Sequence, residues 1–228
     1  MMTAPLFLFI DTTYNDCICV AMDEKKVLFS AIDNNKNLKH SVKLFTVLDD
    51  CLKTNNLSLN QFSVFAVTNG PGSFTGLRVA IAAVKAFAYA FNKPLIAFDH
   101  HLLLAKAALN NILTKNSEFT VITPASATDF FVSHYDNYGR RIEDINLILY
   151  PELINYFDKF SDKLFVFYQM PENIKLPAAN KIILYSNDLI LSAKNIITDK
   201  FNNSDFCDVI TTKINYFKKT NAEEKKKI

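Results

Sequence analysis

Three of the chain's four glycines fall within seven residues, Gly70-Pro71-Gly72-Ser73-Phe74-Thr75-Gly76. A chain this poor in glycine concentrates its unusual backbone freedom in one place, and the rest must be built from ordinary helical and extended conformations. The flanks say what the cluster joins. Phe62 to Thr68 is a short apolar run that reads as a buried strand, and Leu77 to Phe91 is an Ala-rich run that reads as a helix. The cluster is therefore a strand-to-helix turn. Glycine admits positive φ and lets another group approach closely. Pro71 fixes the turn, and the hydroxyl of Ser73 or Thr75 can cap the helix. Two readings stand at this point, a tight capped turn and an anion-binding helix start. The segment fits neither GxxxxGK[ST] nor GxGxxG, and Arg78 is the cation that follows it, two residues past Gly76.

The turn sits in an alternating chain. Leu6–Ile10, Asp16–Ala21 and Val27–Ile32 read as three strands of an antiparallel meander. The residues Leu38, Val42, Phe45, Leu48 and Leu52 then fall three and four apart, predicting an amphipathic helix over Asn37–Asn55. After the second helix come a strand at Leu95–Phe98 and a helix over His100–Leu113. The order βββαβαβα implies a layered α/β architecture with a mixed sheet. The second half repeats the idea more faintly: strands at Glu118–Thr123, Asp129–Tyr135, Arg141–Leu149, Leu164–Phe167 and Ile182–Tyr185, and helices at Pro151–Phe157 and Asn187–Lys200. The expected division is 1–99 for the first lobe and 100–228 for the second, with the C-terminal tail packing back on the first.

Composition removes several classes of function. A net charge of +2 over 228 residues argues against a large basic face for gripping nucleic acid. Cys17, Cys19, Cys51 and Cys207 form no CxxC and suit neither zinc nor a disulfide framework. Cys17 and Cys19 should share one face of a strand, as reduced, buried thiols of a cytoplasmic protein. The histidines, His40, His100, His101 and His134, give no His-x-x-x-His pair, so no metal site is expected, and His100-His101 reads as a polar helix start. The longest apolar stretch, Val79–Phe91, contains Lys85 and is too short to span a bilayer. No signal peptide is expected.

Gly70-Pro71-Gly72-Ser73-Phe74-Thr75-Gly76-Leu77-Arg78 closely resembles the signature of the TsaB family, also called YeaZ, and in looser form that of its paralogue TsaD. Phe9-Ile10-Asp11-Thr12-Thr13 is similar to the family's opening strand and turn. His40-Ser41 heads the first helix as in the family, and Leu95-Ile96-Ala97-Phe98 with its Leu/Ala-rich helix fits the next segment. Tyr216-Phe217-Lys218-Lys219 with Ala222-Glu223 resembles the closing pattern. The resemblance is strong over residues 6–110 and thin over 118–210. The family's charged Asp-Ala-Arg-x-x-Glu-Val-Tyr hairpin is replaced here by Pro124-Ala125-Ser126-Ala127-Thr128-Asp129-Phe130-Phe131-Val132, which points to a divergent second lobe.

The resemblance implies an α/β, actin/Hsp70/sugar-kinase-like (ASKHA) fold of two similar βββαβα-type lobes, mixed sheets flanked by helices. It implies a non-catalytic subunit of the machinery that places threonylcarbamoyl on tRNA adenosine, with no metal and no cofactor of its own. Such a subunit pairs with a TsaD-type protein through its first two helices, here His40, Val42, Phe45, Val79, Ala82, Ala83 and Ala86. A TsaE-type ATPase joins, and tRNA is bound through the complex; an apolar partner-binding face also allows a homodimer when the partner is missing. In actin-like ATPases the acid matching Asp11 helps hold the nucleotide's metal, beside a glycine-bearing hairpin. Asp11-Thr12-Thr13 is followed instead by Tyr14, which would crowd a phosphate, so a vestigial nucleotide site is expected there. The alternative is a small ATP-dependent kinase of the same superfamily.

Overall fold

The computed structural model describes residues 4–110, 117–177 and 180–217. Its first sheet opens with β1 (Leu6–Asp11), β2 (Cys17–Asp23) and β3 (Val27–Asp33). Then follow α1 (His40–Thr54), β4 (Val64–Thr68), α2 (Phe74–Ala90), β5 (Leu95–Phe98) and α3 (His100–Ala108). The strands are ordered β3-β2-β1-β4-β5, antiparallel through β1 and parallel beyond it. The second sheet has β6 (Phe119–Pro124), β7 (Asp129–Tyr135), β8 (Asn146–Leu149), α4 (Tyr150–Lys159), β9 (Leu164–Tyr168) and β10 (Lys181–Leu184), and α5 (Ser186–Asn202) follows. Its order, β8-β7-β6-β9-β10, is that of the first sheet with each strand in the corresponding place.

The strand period of two sorts β1 between two faces. Leu8 and Ile10 join Cys17, Cys19 and Ala21 of β2 in a core closed by Leu44, Val47 and Cys51 of α1 and by Ala80, Ile81 and Val84 of α2. The two cysteines of β2 thus share a face, as the alternation required. Burial, with the Asp11 charge second, pushes the Cys17 thiol up to about 12, so it stays protonated and inert. On the opposite face Phe9 stacks on Phe98 at 5.6 Å and Phe7 meets Phe201 of α5 at 4.9 Å.

That last contact corrects the expected division of the chain. Among the described residues one compact unit combines the chain up to Leu103 with Tyr185–Ile214, and the other is Leu104–Leu184 with the few residues that follow Ile214. The helix α5 packs on β2, β3 and β5 of the first sheet, and its Lys194 ammonium donates to the Glu24 carbonyl at 3.1 Å. Periodicity gives a helix its buried face but not the sheet that face will meet. Beyond α5, Cys207 bridges to β5, and Lys85 Nζ donates to the carbonyls of Ile210 and Thr212, each at 2.9 Å, still within the first unit. The residues Lys218, Lys219, Ala222 and Glu223 and the expected tail lie outside the described residues.

In the second unit α4 covers one face of the sheet, burying Leu153 and Phe157 against Ile122, Phe130, Val132, Phe165 and Phe167. No helix separates β9 from β10 among the described residues. The strand expected over Arg141–Leu149 is shorter, because Arg141 makes only an isolated bridge with Tyr135 before the chain turns into β8.

Candidate functional site

The glycine cluster and the Asp-Thr-Thr turn, 57 residues or more apart in sequence, form one site in the first unit. The β1–β2 turn and the start of α2 are in backbone contact: Ser73 N donates to Thr13 O at 2.7 Å, and Thr12 Oγ1 donates to Gly76 O at 2.6 Å. This approach requires two glycines. A Cβ on Gly76 would lie 1.8 Å from the Thr12 carbonyl oxygen, and one on Gly72 would lie 2.1 Å from Thr13 Cγ2. Both obstructions are closer than any carbon can sit, and at Gly76 the obstacle is backbone that cannot swing aside. Gly70 takes φ 116°, open only to glycine, and its carbonyl accepts from His100 N at 2.8 Å.

The helix α2 begins at Phe74, three residues earlier than the Ala-rich run suggested, with Ser73 as its cap. Ser73 Oγ accepts from Gly76 N at 3.3 Å. Thr75 is exposed instead. The Arg78 guanidinium stacks over the Phe74 ring at 4.2 Å. Of the two readings of the glycine turn, the geometry matches the capped one, since the Ser73 and Gly76 N–H groups are already used and the loop is closed onto Thr12 and Thr13.

Beneath the loop lies a buried polar cluster centred on Asp11. Its Oδ1 accepts from Thr13 N at 2.7 Å and from Thr68 Oγ1 at 2.8 Å, and Thr68 Oγ1 is also 2.7 Å from Thr13 Oγ1. His100 Nε2 lies 3.3 Å from Asp11 Oδ2, and Tyr14 meets the His100 ring edge-on at 5.1 Å. Complete burial lowers the His100 pKa against the opposing pull of Asp11 and Asp99, which keeps the imidazole neutral at pH 7. Here the sequence misled: His100 and His101 are 1% and 0% exposed, not a polar helix start. His100 had been read only as part of that helix start, and Thr68, the hydroxyl that ends a buried strand and so a readable signal, had not been singled out. Nor had Lys43, which stands beside the cluster: it is 2% exposed, and its ammonium donates to the Asn15 carbonyl at 2.7 Å in the turn after β1. Among the described residues no group of three His, Cys, Asp or Glu side chains could hold a metal ion, and no helix is long and apolar enough to cross a membrane.

The seven residues expected on the partner-facing helices separate into three places. His40 is half-buried beside Gly76, where burial, then Lys43, lowers its pKa. Val79 and Ala83 are half-buried against the first unit's core. Val42 and Phe45 of α1, with Ala82 and Ala86 of α2, are exposed. The core-facing stripe of α1 is Leu44, Val47, Leu48 and Cys51, so the helix also carries an exposed apolar pair, Val42 and Phe45, at 47 and 54%, and Leu38, two residues before the helix, is 40% exposed.

Two sheets of one strand order, each three antiparallel strands continued by parallel ones, define an α/β protein of the actin/Hsp70/sugar-kinase class, with the glycine turn and Asp11 at the ends of adjacent strands. The family model described as "TsaD: tRNA N6-adenosine threonylcarbamoyltransferase" matches residues 29–225, and the chain belongs to that family. A tRNA N6-adenosine threonylcarbamoyltransferase of Brachyspira hyodysenteriae is 32% identical over 148 residues, 58% of this chain and 43% of that protein. The tRNA threonylcarbamoyladenosine biosynthesis protein TsaB of Buchnera aphidicola subsp. Schizaphis graminum is 29% identical over 103 residues, 45% of this chain and 48% of that one. The chain thus matches about half the length of these curated relatives. The solved structure of YeaZ from Pseudomonas aeruginosa shares the fold at TM-score 0.69 and 19% identity, covering 93% of this chain and 99% of that one. The YeaZ structure shows the fold, and TsaB proteins stand among the chain's relatives.

Proposed function

We propose that this chain is a non-catalytic subunit in the biosynthesis of tRNA threonylcarbamoyladenosine, and that it docks on a TsaD-type protein through α1 and α2. The observation that carries this reading is the exposed apolar pair of α1. A soluble helix usually hides one apolar face. This one hides Leu44, Val47 and Leu48 and still exposes Val42 and Phe45, with Leu38 exposed just before it, beside an α2 that exposes Ala82, Ala86 and Tyr89. Small residues on such a face let a partner helix approach closely. The closed contact between the glycine loop and Thr12-Thr13 favours a structural role for Asp11 over phosphate binding. In this reading the loop fixes the start of α2, so the docking face is rigid before the partner arrives. A TsaE-type ATPase and tRNA then join through the pair.

The test is co-purification with the TsaD-type protein of the same genome, followed by threonylcarbamoyl transfer to tRNA with and without this chain. Phe45→Asp and Ala86→Asp should leave the isolated chain within about 0.5 kcal/mol of its stability, because both sites are exposed. Each should weaken heterodimer formation roughly a hundredfold and abolish chain-dependent transfer. A heterodimer unaffected by both substitutions, or steady ATP hydrolysis by the pure chain that Asp11→Asn removes, would overturn the reading.

A further inference from the structure

The second unit contains a cleft of 330 Å³ lined by β6, β7, α4 and the segment after β7. Its floor is a hydrogen-bonded set of neutral groups. The antiparallel register puts Thr120 opposite His134, so the two side chains share a face. Thr120 Oγ1 lies 2.9 Å from His134 Nδ1, and the Tyr156 hydroxyl from α4 lies 3.3 Å from the same ring. Thr120 is 3% exposed, so the floor is fixed rather than solvated.

The rim is charged. Glu143 Oε2 lies 3.8 Å from His134 Nε2, and Glu118 Oε2 lies 3.5 Å from Lys163 Nζ. Burial lowers the His134 pKa, outweighing the pull of Glu143 and Glu118, so at pH 7 the ring is neutral. Among the lining side chains Lys163 pairs with Glu118, while Glu143 has only the neutral His134 ring beside it; Arg141, on the Tyr135 hydroxyl, and Lys159 stand just outside the lining. The wall is aromatic: the Tyr156 and Phe160 rings lie 4.6 Å apart, and Phe160 already has the Lys159 ammonium 5.1 Å from its centre. An unmatched carboxylate beside π faces, over a floor of neutral donors and acceptors, suits a cation with an apolar body. It disfavours an anion, because Lys163 is engaged by Glu118 and Glu143 would repel it.

We propose that this cleft binds a small organic ammonium with an apolar or aromatic body, its charge held by Glu143 and its body against Tyr156 and Phe160. The cleft lies wholly within the second unit, so the proposal stands independently of the docking face on α1 and α2. The experiment uses the whole chain and three probes of one shape: 2-phenylethylammonium, 2-phenylethanol and phenylacetate. The readouts are the His134 ring resonances by proton–nitrogen correlation NMR and the melting temperature. Expected is saturable perturbation of His134 by the ammonium at about 1 mM, weakened by salt. The alcohol and the anion should bind roughly tenfold or more weakly. Glu143 is exposed enough for Glu143→Gln to fold normally, and that variant should lose about tenfold in affinity for the ammonium while leaving the alcohol unchanged. No perturbation by the ammonium at 10 times that concentration, equal binding of phenylacetate, or ammonium affinity unchanged in Glu143→Gln would each overturn the proposal.

Discussion

The first hairpin of each sheet occupies the same topological place, yet the two corners are closed by different means. In the first unit the turn after β1 is held by distant residues: Thr68 reaches Asp11 across 57 positions and Gly76 meets Thr12 across 64. In the second, the turn after β6 holds itself. Ala125 N and Ser126 N both donate to Asp129 O, and Ser126 Oγ accepts from Asp129 N while donating to its carboxylate at 2.9 Å. A corner closed by remote backbone contact tolerates few side chains. A corner closed by its own hydrogen bonds can be written in many ways.

The sharpest way to break this comparison is Gly76→Ala. Within a helix this change ordinarily gains 0.5–1 kcal/mol, roughly. Here the Cβ meets the Thr12 carbonyl, so the change should cost about 3–4 kcal/mol and lower the melting temperature by about 10 °C, read by circular dichroism. Asp11→Ala comes next. It leaves the Thr13 amide and the Thr68 hydroxyl without their acceptor, and should cost about 2–3 kcal/mol in urea titration, with Asp11→Asn recovering part of it. Acid should act on the first unit through His100. Its folded pKa lies below the unfolded value of about 6.5, so the unfolded chain takes up more protons as pH falls. Its contribution is fully present above pH 6.5 and declines below it, by at most about 1.4 kcal/mol per pH unit. His100→Gln should flatten that segment of the stability–pH curve. The smallest effect is expected from Ser126→Ala, about 1 kcal/mol. A loss equal to that of Gly76→Ala would erase the distinction between the two corners.

Period and punctuation made most elements legible. Leu95–Phe98 and Asp129–Tyr135 fall where short apolar runs place them, and the glycine cluster marked the join of β4 to α2. What stayed hidden depends on partners that sequence spacing does not name. The series Leu38, Val42, Phe45, Leu48 and Leu52 correctly announced α1, but it mixes buried and exposed positions, and only packing decides that Leu48 turns inward while Phe45 turns outward. His100 and His101 look polar on paper. Burial is decided by the Gly70 carbonyl, Asp11 and Tyr14 that surround His100, none of which is near it in the chain. The Asp11 cluster was legible only at Asp11 and Thr13, because Thr68 and His100 enter it through the fold, as Lys43 enters the turn beside it.

The return of α5 to the first sheet sets an order of events during synthesis. Chains fold as they emerge, from the N-terminus onward. The strands β1 to β5 are complete by residue 98, but the Phe7 face waits for Phe201. The whole second sheet is made in between. Until α5 has emerged, the first sheet therefore has the Phe7 side still bare while the second sheet, complete by residue 184, can already close, and the time spent in that state is set by the rate at which the last residues are added.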